Sequence, residues 1–222
     1  MSRIRSILGR RGPSLACWTI VAAGLAGAAL AREPAVAIYL ASFVYYGLYW
    51  CAFAWGVLSF EVFKRDALLL KAVSVAALAF VYLQAPPDLL SLGVIALGIL
   101  LNARAAAVLG IDRTYYGHEL AGLPARRITE FPYSLMSHPM IVGNVMAFGG
   151  TLLNPEFRAA WWPLATLHVV LNLALLAMER AGPGRRPVLR LAGLLVLAAT
   201  AAAATVAAGN HAVSSRLSQE AT

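Results

Sequence analysis

The chain has 222 residues, 60% of them hydrophobic and 13% charged, with a mean hydropathy of +0.72. A soluble domain is about half apolar and about a quarter charged, so composition excludes an ordinary water-soluble fold and points to a polytopic membrane protein. The 18 Lys and Arg against 10 Asp and Glu give a net charge of +8, and two cysteines exclude a disulfide scaffold or a Cys-rich metal site.

A membrane-crossing helix needs ~20 mostly apolar residues. In chain order the sequence predicts seven such spans, at 15–31, 35–60, 67–85, 89–110, 139–153, 159–178 and 188–208. The joints carry helix breakers: Glu33-Pro34, Pro86-Pro87-Asp88, Asn154-Pro155 and Gly182-Pro183-Gly184. No stretch of ~10 residues alternates with period two, as a membrane barrel requires. The expected fold is therefore an all-α polytopic transmembrane bundle, with 1–222 as a single integral-membrane domain. Cys17 and Cys51 lie inside apolar runs and read as packing residues. No basic, aromatic-interleaved soluble segment is present to bind nucleic acid. The positive charge reads instead as topology and attraction to anionic headgroups.

Charge also sets an orientation. A cytoplasmic N-terminus places fourteen of the basic residues on or near the inner face and only Arg32, Arg158 and Arg216 opposite. Lys71 falls inside the third span, near enough to its start to snorkel. The first span also fits a cleavable signal peptide ending at Ala29-Leu30-Ala31. Retention is the simpler reading, because the later loops keep the same sidedness either way. Arg far outnumbers Lys, which points to a GC-rich bacterial genome and a plasma (inner) membrane.

This topology brings three polar groups of residues to the cytoplasmic face. Ser137-His138-Pro139 opens the fifth span. Ser137 is placed to cap that helix and Pro139 falls in its first turn, so free N–H groups and the positive dipole end would face an anion. Gly143, Gly149 and Gly150 remove bulk along it, for a ligand or for another helix. On the sixth span His168, Asn172 and Glu179 share one face, leading ~16 Å from a surface carboxylate to an imidazole. For His168 and Asn172 the plainer reading is an interhelical hydrogen-bond ladder. Glu179, beside Arg180, suits a ligand cation or ribose hydroxyls. The one long polar connection, 111–137, carries Tyr115, Tyr116, Gly117 and the only adjacent acid–base pair, His118-Glu119, followed by Arg126-Arg127. The tyrosines also suit a membrane interface, and the arginines suit phosphate or topology alike.

Several of these residues form a known pattern. Leu109-Gly110, Thr114 and Gly117, then Ile128-Thr129, Phe131-Pro132-Tyr133, His138-Pro139-Met140, Gly143-Asn144 and Glu179 resemble the phosphatidylethanolamine N-methyltransferase family, and more distantly the isoprenylcysteine carboxyl methyltransferases. The resemblance covers about 91–180 and makes that stretch the methyltransferase-like core. The segments 1–33 and 188–222 are peripheral added spans. It implies an S-adenosylmethionine site facing the cytosol, built by membrane helices without a Rossmann domain. The family's Gly-x-Gly cofactor motif falls at Ala96-Leu97-Gly98, where the first glycine is alanine. Its glutamate pair falls at Glu179-Arg180, where one carboxylate remains. These departures bear on the substrate more than on the cofactor.

The roles implied are specific. The cofactor would meet Ala96, Leu97, Gly98, Tyr115, Gly117, His138, Pro139, Met140, Gly143, Asn144, Glu179 and Arg180. Arg113, Arg126 or Arg127 would hold a lipid phosphate. An ammonium must lose a proton before it attacks, and Glu119 and His118, then His138, are the bases within this set. The expected reaction is methyl transfer to a membrane lipid amine, phosphatidylethanolamine or its methylated derivatives. Other classes compete: methylation of a carboxylate, thiol or quinone-like amphiphile, a haem-binding bundle using His138 and His168, and a non-catalytic lipid or transport module.

Overall fold

A computed structural model describes residues 2–30, 34–56, 58–181 and Gly209. Among them all regular structure is helical: α1 (Ser2–Leu30), α2 (Pro34–Ala41), α3 (Val44–Trp55), α4 (Phe60–Tyr82), α5 (Leu89–Leu109), α6 (Ile111–Thr114), α7 (Gly117–Ala121), α8 (Pro139–Gly150), a 3₁₀ turn at Thr151–Leu153, and α9 (Pro155–Ala181). Arg11–Ala29, Pro34–Ala54, Leu89–Leu109 and Pro155–Arg180 are long and apolar enough to cross a membrane, and Pro139–Leu153 is a shorter apolar helix. The span predicted at 188–208 lies outside the described residues.

Two predicted spans take a different form. The second is not continuous over 35–60. It breaks at Ser42-Phe43, where the N–H groups of Ser42 and Phe43 bond back three residues, to Tyr39 O at 3.0 Å and Leu40 O at 3.1 Å. The Ser42 hydroxyl donates to the Tyr39 carbonyl as well, so a side chain replaces part of the α-helical ladder and tightens the turn. The helix then ends early at Gly56, whose left-handed φ of 61° lets its N–H reach Ala52 O. The third begins earlier than 67, at Phe60, and its first two turns carry Glu61, Lys64, Arg65 and Asp66.

The chain divides into two compact units. One draws on Met1–Leu78, Gly110–Arg126 and Leu175–Leu195, the other on Ala79–Leu109, Arg127–Ala174 and Val196–Thr222. In the first, α1 packs on α2 and α3. A buried hydrogen bond from Ser14 to the carboxylate of Asp66 ties α1 to α4, and Arg65 Nε sits 2.8 Å from the same carboxylate. Tyr39, Leu48, Phe53, Phe63 and Leu70 are fully buried there.

In the second unit the central contact is α5 against α8. Lipid tails are as apolar as leucine, so helices in a bilayer gain little from the hydrophobic effect on association. Close packing and interhelical hydrogen bonds drive it instead, which favours small residues at the crossing. A Cβ built on Gly98 would lie 2.5 Å from the carbonyl oxygen of Gly143, and one on Gly143 would lie 2.6 Å from that of Gly98. Farther along, Ser91 Oγ donates to Gly150 O at 2.8 Å and accepts from Tyr82 Oη at 2.7 Å. Both long helices start on side-chain caps. Asp88 Oδ1 takes the N–H of Ser91 on α5 at 2.7 Å, and Asn154 Oδ1 takes those of Glu156 and Phe157 on α9 at 3.0 and 3.2 Å.

A methyl group at the crossing has nowhere to go, because what it meets is backbone. Gly98→Ala should lower stability by about 1–3 kcal/mol. Gly93→Ala on the same helix meets nothing within 4 Å and should be neutral or mildly stabilising through helix propensity. Thermal unfolding of the two variants in one neutral detergent separates them, and equal melting shifts would contradict the backbone contact.

Candidate active site

In the second unit, three asparagines join three helices. Asn102 Nδ2 on α5 reaches Asn144 Oδ1 on α8 at 2.7 Å and Met140 O at 3.0 Å. Asn144 Nδ2 donates to Asn172 Oδ1 on α9 at 2.9 Å, and Asn172 Nδ2 donates to His168 O at 2.9 Å. Each amide offers both a donor and an acceptor, so the chain passes from helix to helix with its polarity kept consistent. His168 is fully buried, its ring lying flat on Phe148 at 4.2 Å. The ladder reading thus holds for Asn172, which bonds to Asn144 on α8, while His168 takes part through its backbone carbonyl.

The start of α8 differs from the sequence expectation. His138, not Ser137, occupies the N-cap position, because Pro139 is the first helical residue. Its φ and ψ are −131° and 59°, and no side chain caps the first turn. The N–H groups that open α8 therefore carry no protein side-chain acceptor, while the Met140 carbonyl in the same turn is held by Asn102. Of the Ala96-Leu97-Gly98 trio, Gly98 is buried in the α5–α8 crossing and Ala96 and Leu97 are exposed.

In the first unit, the segment after Gly110 (φ 80°) folds into α6 and α7, joined at Tyr115 and Tyr116. Tyr115 is buried at the end of α6. Gly117 has no room for a side chain, since a Cβ would lie 2.6 Å from both Asp112 O and Leu123 Cδ1. Lys64 Nζ on α4 pins α6 through Asp112 at 2.7 Å. Tyr116 stands out: it has a φ of 60°, a left-handed conformation that costs a residue with a Cβ roughly 1–2 kcal/mol. Its ring is held edge-on to Tyr49 at 5.7 Å and to Phe53 at 4.9 Å, both on α3.

The acid–base pair lies on α7. His118 Nδ1 lies 2.6 Å from Leu123 O. A carbonyl only accepts, so Nδ1 carries the proton and Nε2 of the neutral ring is left as the acceptor. Glu119 is half-buried, and so is Glu179 near the end of α9. These two carboxylates act on each other and on Tyr116 electrostatically, with Arg180 as the opposing charge on Glu179. Burial raises the Tyr116 pKa, and Glu179 and Glu119 push it the same way, so the phenol stays neutral. Arg113 spends one guanidinium N–H on Pro124 O at 3.3 Å. Arg126 and Arg127 are exposed.

Comparison with known proteins now bears on this arrangement. Residues 88–181 match the family model described as phospholipid methyltransferase. The match is confined to this segment. It begins at Asp88, the cap of α5, and ends with the last residue of α9. An 83-residue stretch is 36% identical to a phosphatidyl-N-methylethanolamine N-methyltransferase from Arabidopsis thaliana, covering 37% of this chain and 47% of the relative. The chain thus spans about half the length of that curated relative. No solved structure matches.

Within the matched segment, sequence reasoning missed Asn102 and Tyr116 as organising residues. Asn102 was findable: it is an amide in an apolar helix, one turn beyond Gly98, and intramembrane polar residues face protein. Nothing local marks Tyr116, since its backbone conformation follows from the packing of α3 and Gly117 around it.

Replacing the middle amide should be costly. Asn144→Leu leaves Asn102 and Asn172 each without a side-chain partner, and a loss of about 1–3 kcal/mol is expected. Asn144→Gln, which keeps both hydrogen-bonding functions, should recover part of it. Chemical denaturation in mild detergent reads both, and an unchanged midpoint for the leucine variant would show that the ladder contributes nothing.

Proposed function

We propose that the protein is an S-adenosylmethionine-dependent methyltransferase that acts on a membrane lipid amine, phosphatidylethanolamine or its methylated derivatives, at the cytoplasmic interface. The match of 88–181 to the phospholipid methyltransferases is the observation that carries this reading. In this proposal 91–180 is the catalytic core, and seven spans with a cytoplasmic N-terminus follow from the distribution of Lys and Arg. The site then faces the cytosol from a bacterial plasma membrane, where a polar donor and a bilayer-borne acceptor both arrive without crossing.

The residues present suit the cofactor. Its carboxylate is an anion, and the first turn of α8, which begins at Pro139, has no side-chain cap. Its ribose hydroxyls are donors, and among the described residues no hydrogen bond engages the carboxylate of Glu179. S-adenosylmethionine, when bound, supplies the methyl group as a sulfonium. In the proposal Gly98 and Gly143 act through packing, holding α5 on α8 so that the first turn of α8, Met140 and Asn144 keep their places. Tyr115 and Gly117 shape the loop, and Arg180 balances Glu179. Arg126 and Arg127, exposed after α7, hold the acceptor's phosphate together with Arg113.

The acceptor amine is an ammonium at neutral pH and must shed a proton to become nucleophilic. His118 offers Nε2 for it, and Glu119 is the adjacent carboxylate. His138 is the third group able to act. Methyl transfer is an in-line displacement, so much of the rate comes from alignment.

The test is incubation of the purified full chain with radiolabelled S-adenosylmethionine and total lipid extract, with identification of the labelled lipid. A methylated ethanolamine phospholipid is expected, and label on a neutral amphiphile instead would replace the substrate assignment. Glu179→Ala should abolish cofactor binding while the melting transition persists. Undiminished affinity in that variant removes Glu179 from the site. Glu119→Gln should lower turnover by about 10²–10⁴-fold if Glu119 is the base, with cofactor affinity retained.

A further inference from the structure

We infer that the turn at 130–136, just before α8, is an interfacial anchor. It seats in an anionic phospholipid leaflet through Phe131 and Leu135, with Arg127 on the headgroups. The inference needs only the membrane-spanning reading of α5 and does not depend on the methyltransferase one. All of its residues lie in the second unit.

The turn is helical in its bonding. The N–H of Ser134 donates to Glu130 O at 3.1 Å, and that of Met136 to Pro132 O at 3.2 Å. Residues four apart therefore share a side. Here they are Phe131 and Leu135, which are 52% and 74% exposed, while Pro132 is buried. A polar connection has thus turned two large apolar side chains outward together. Arg127 is exposed as well, and among the described residues no hydrogen bond or ion pair engages its guanidinium.

Depth decides what covers this turn. α5 is about 31 Å long, enough for a hydrocarbon layer of about 30 Å. The apolar helix Pro139–Leu153 is about 22 Å long and cannot cross that layer alone. At its far end Gly150 meets Ser91, near the start of α5, and at its near end Met140 meets Asn102. The shortfall therefore falls at the Pro139 end, where α5 runs on from Asn102 to Leu109 for about 10 Å. The 130–136 turn fills that level, with Glu130 at 3.7 Å from Arg104 on α5. An apolar pair facing outward there meets the boundary of headgroups and acyl chains. A basic residue at that boundary adds attraction to anionic headgroups. The Glu130 carboxylate does not oppose it, since Arg104 is its partner. Because the turn leads directly into His138 and Pro139, the leaflet fixes where α8 begins.

The test uses the full chain in lipid nanodiscs, carrying Cys17→Ala and Cys51→Ala, with a nitrobenzoxadiazole fluorophore attached at Leu135→Cys. The reference is the same label at Gln84→Cys, in the exposed turn after α4. Two nanodiscs are compared, phosphatidylcholine alone and an equal mixture with phosphatidylglycerol. In the mixture the label at 135 should be shielded from acrylamide and quenched by lipids bearing a nitroxide near the headgroup. The label at 84 should stay open to acrylamide. In phosphatidylcholine alone, or with Arg127→Gln in the mixture, the ratio of seated to unseated turn should fall about fivefold. Equal access of acrylamide to the two positions overturns the inference. Shielding without nitroxide quenching shows that protein covers the turn, and overturns it too. Equal seating in the two nanodiscs, or in the parent and Arg127→Gln, overturns the assignment to anionic lipid. Should Leu135→Cys fail to fold, Phe131→Cys carries the same label and is read against the same outcomes.

Discussion

At the α5–α8 crossing one helix backbone lies directly on another, carbonyl against α-carbon, at Gly98 and Gly143. The consequences follow from how close that is. With side chains absent on both sides, the first turn of α8 comes within reach of Asn102, whose amide takes the Met140 carbonyl and the Asn144 side chain together. Asn144 in turn reaches Asn172. A bulkier pair at the crossing would lengthen each of these bonds, so the amide ladder depends on the glycines. In a bilayer the ladder matters because an amide that loses its partner cannot turn to water.

The first unit solves a different problem. Its segment from Gly110 to α7 closes its own short turns through backbone hydrogen bonds, and it is held in place by contacts with helices that precede it in the chain. Lys64 pins Asp112, while Tyr49 and Phe53 are not free to move because they are buried among other rings; together they fix Tyr116 in a backbone conformation it would not adopt alone. Strain of this kind persists only where the surroundings over-determine it. Here the surroundings are aromatic.

What the sequence made legible was mostly what hydropathy and breakers encode. The all-helical class, the joint at Asn154-Pro155 and the start of α8 at Pro139 are all consequences of local composition. The break at Ser42-Phe43 was hidden, because serine in an apolar run reads as a tolerated residue until its hydroxyl is seen to take the Tyr39 carbonyl. The cap of α8 went to His138 rather than Ser137 because proline fixes the register of the first turn. Gly98 carried two meanings at once, ligand approach and helix approach, and only the position of Gly143 separates them. Asn172 was visible as part of a polar helical face, but its continuation through Asn144 to Asn102 required knowing which helices meet.

Polar groups in this chain sort by whether the protein itself answers them. The amides of Asn102, Asn144 and Asn172 are answered by one another, and Ser91, Asp88 and Asn154 by backbone or a neighbouring hydroxyl. Those groups hold helices together and have little left to offer a ligand. The N–H groups opening α8 and the carboxylates of Glu119 and Glu179 are not answered by hydrogen bonds from the described side chains.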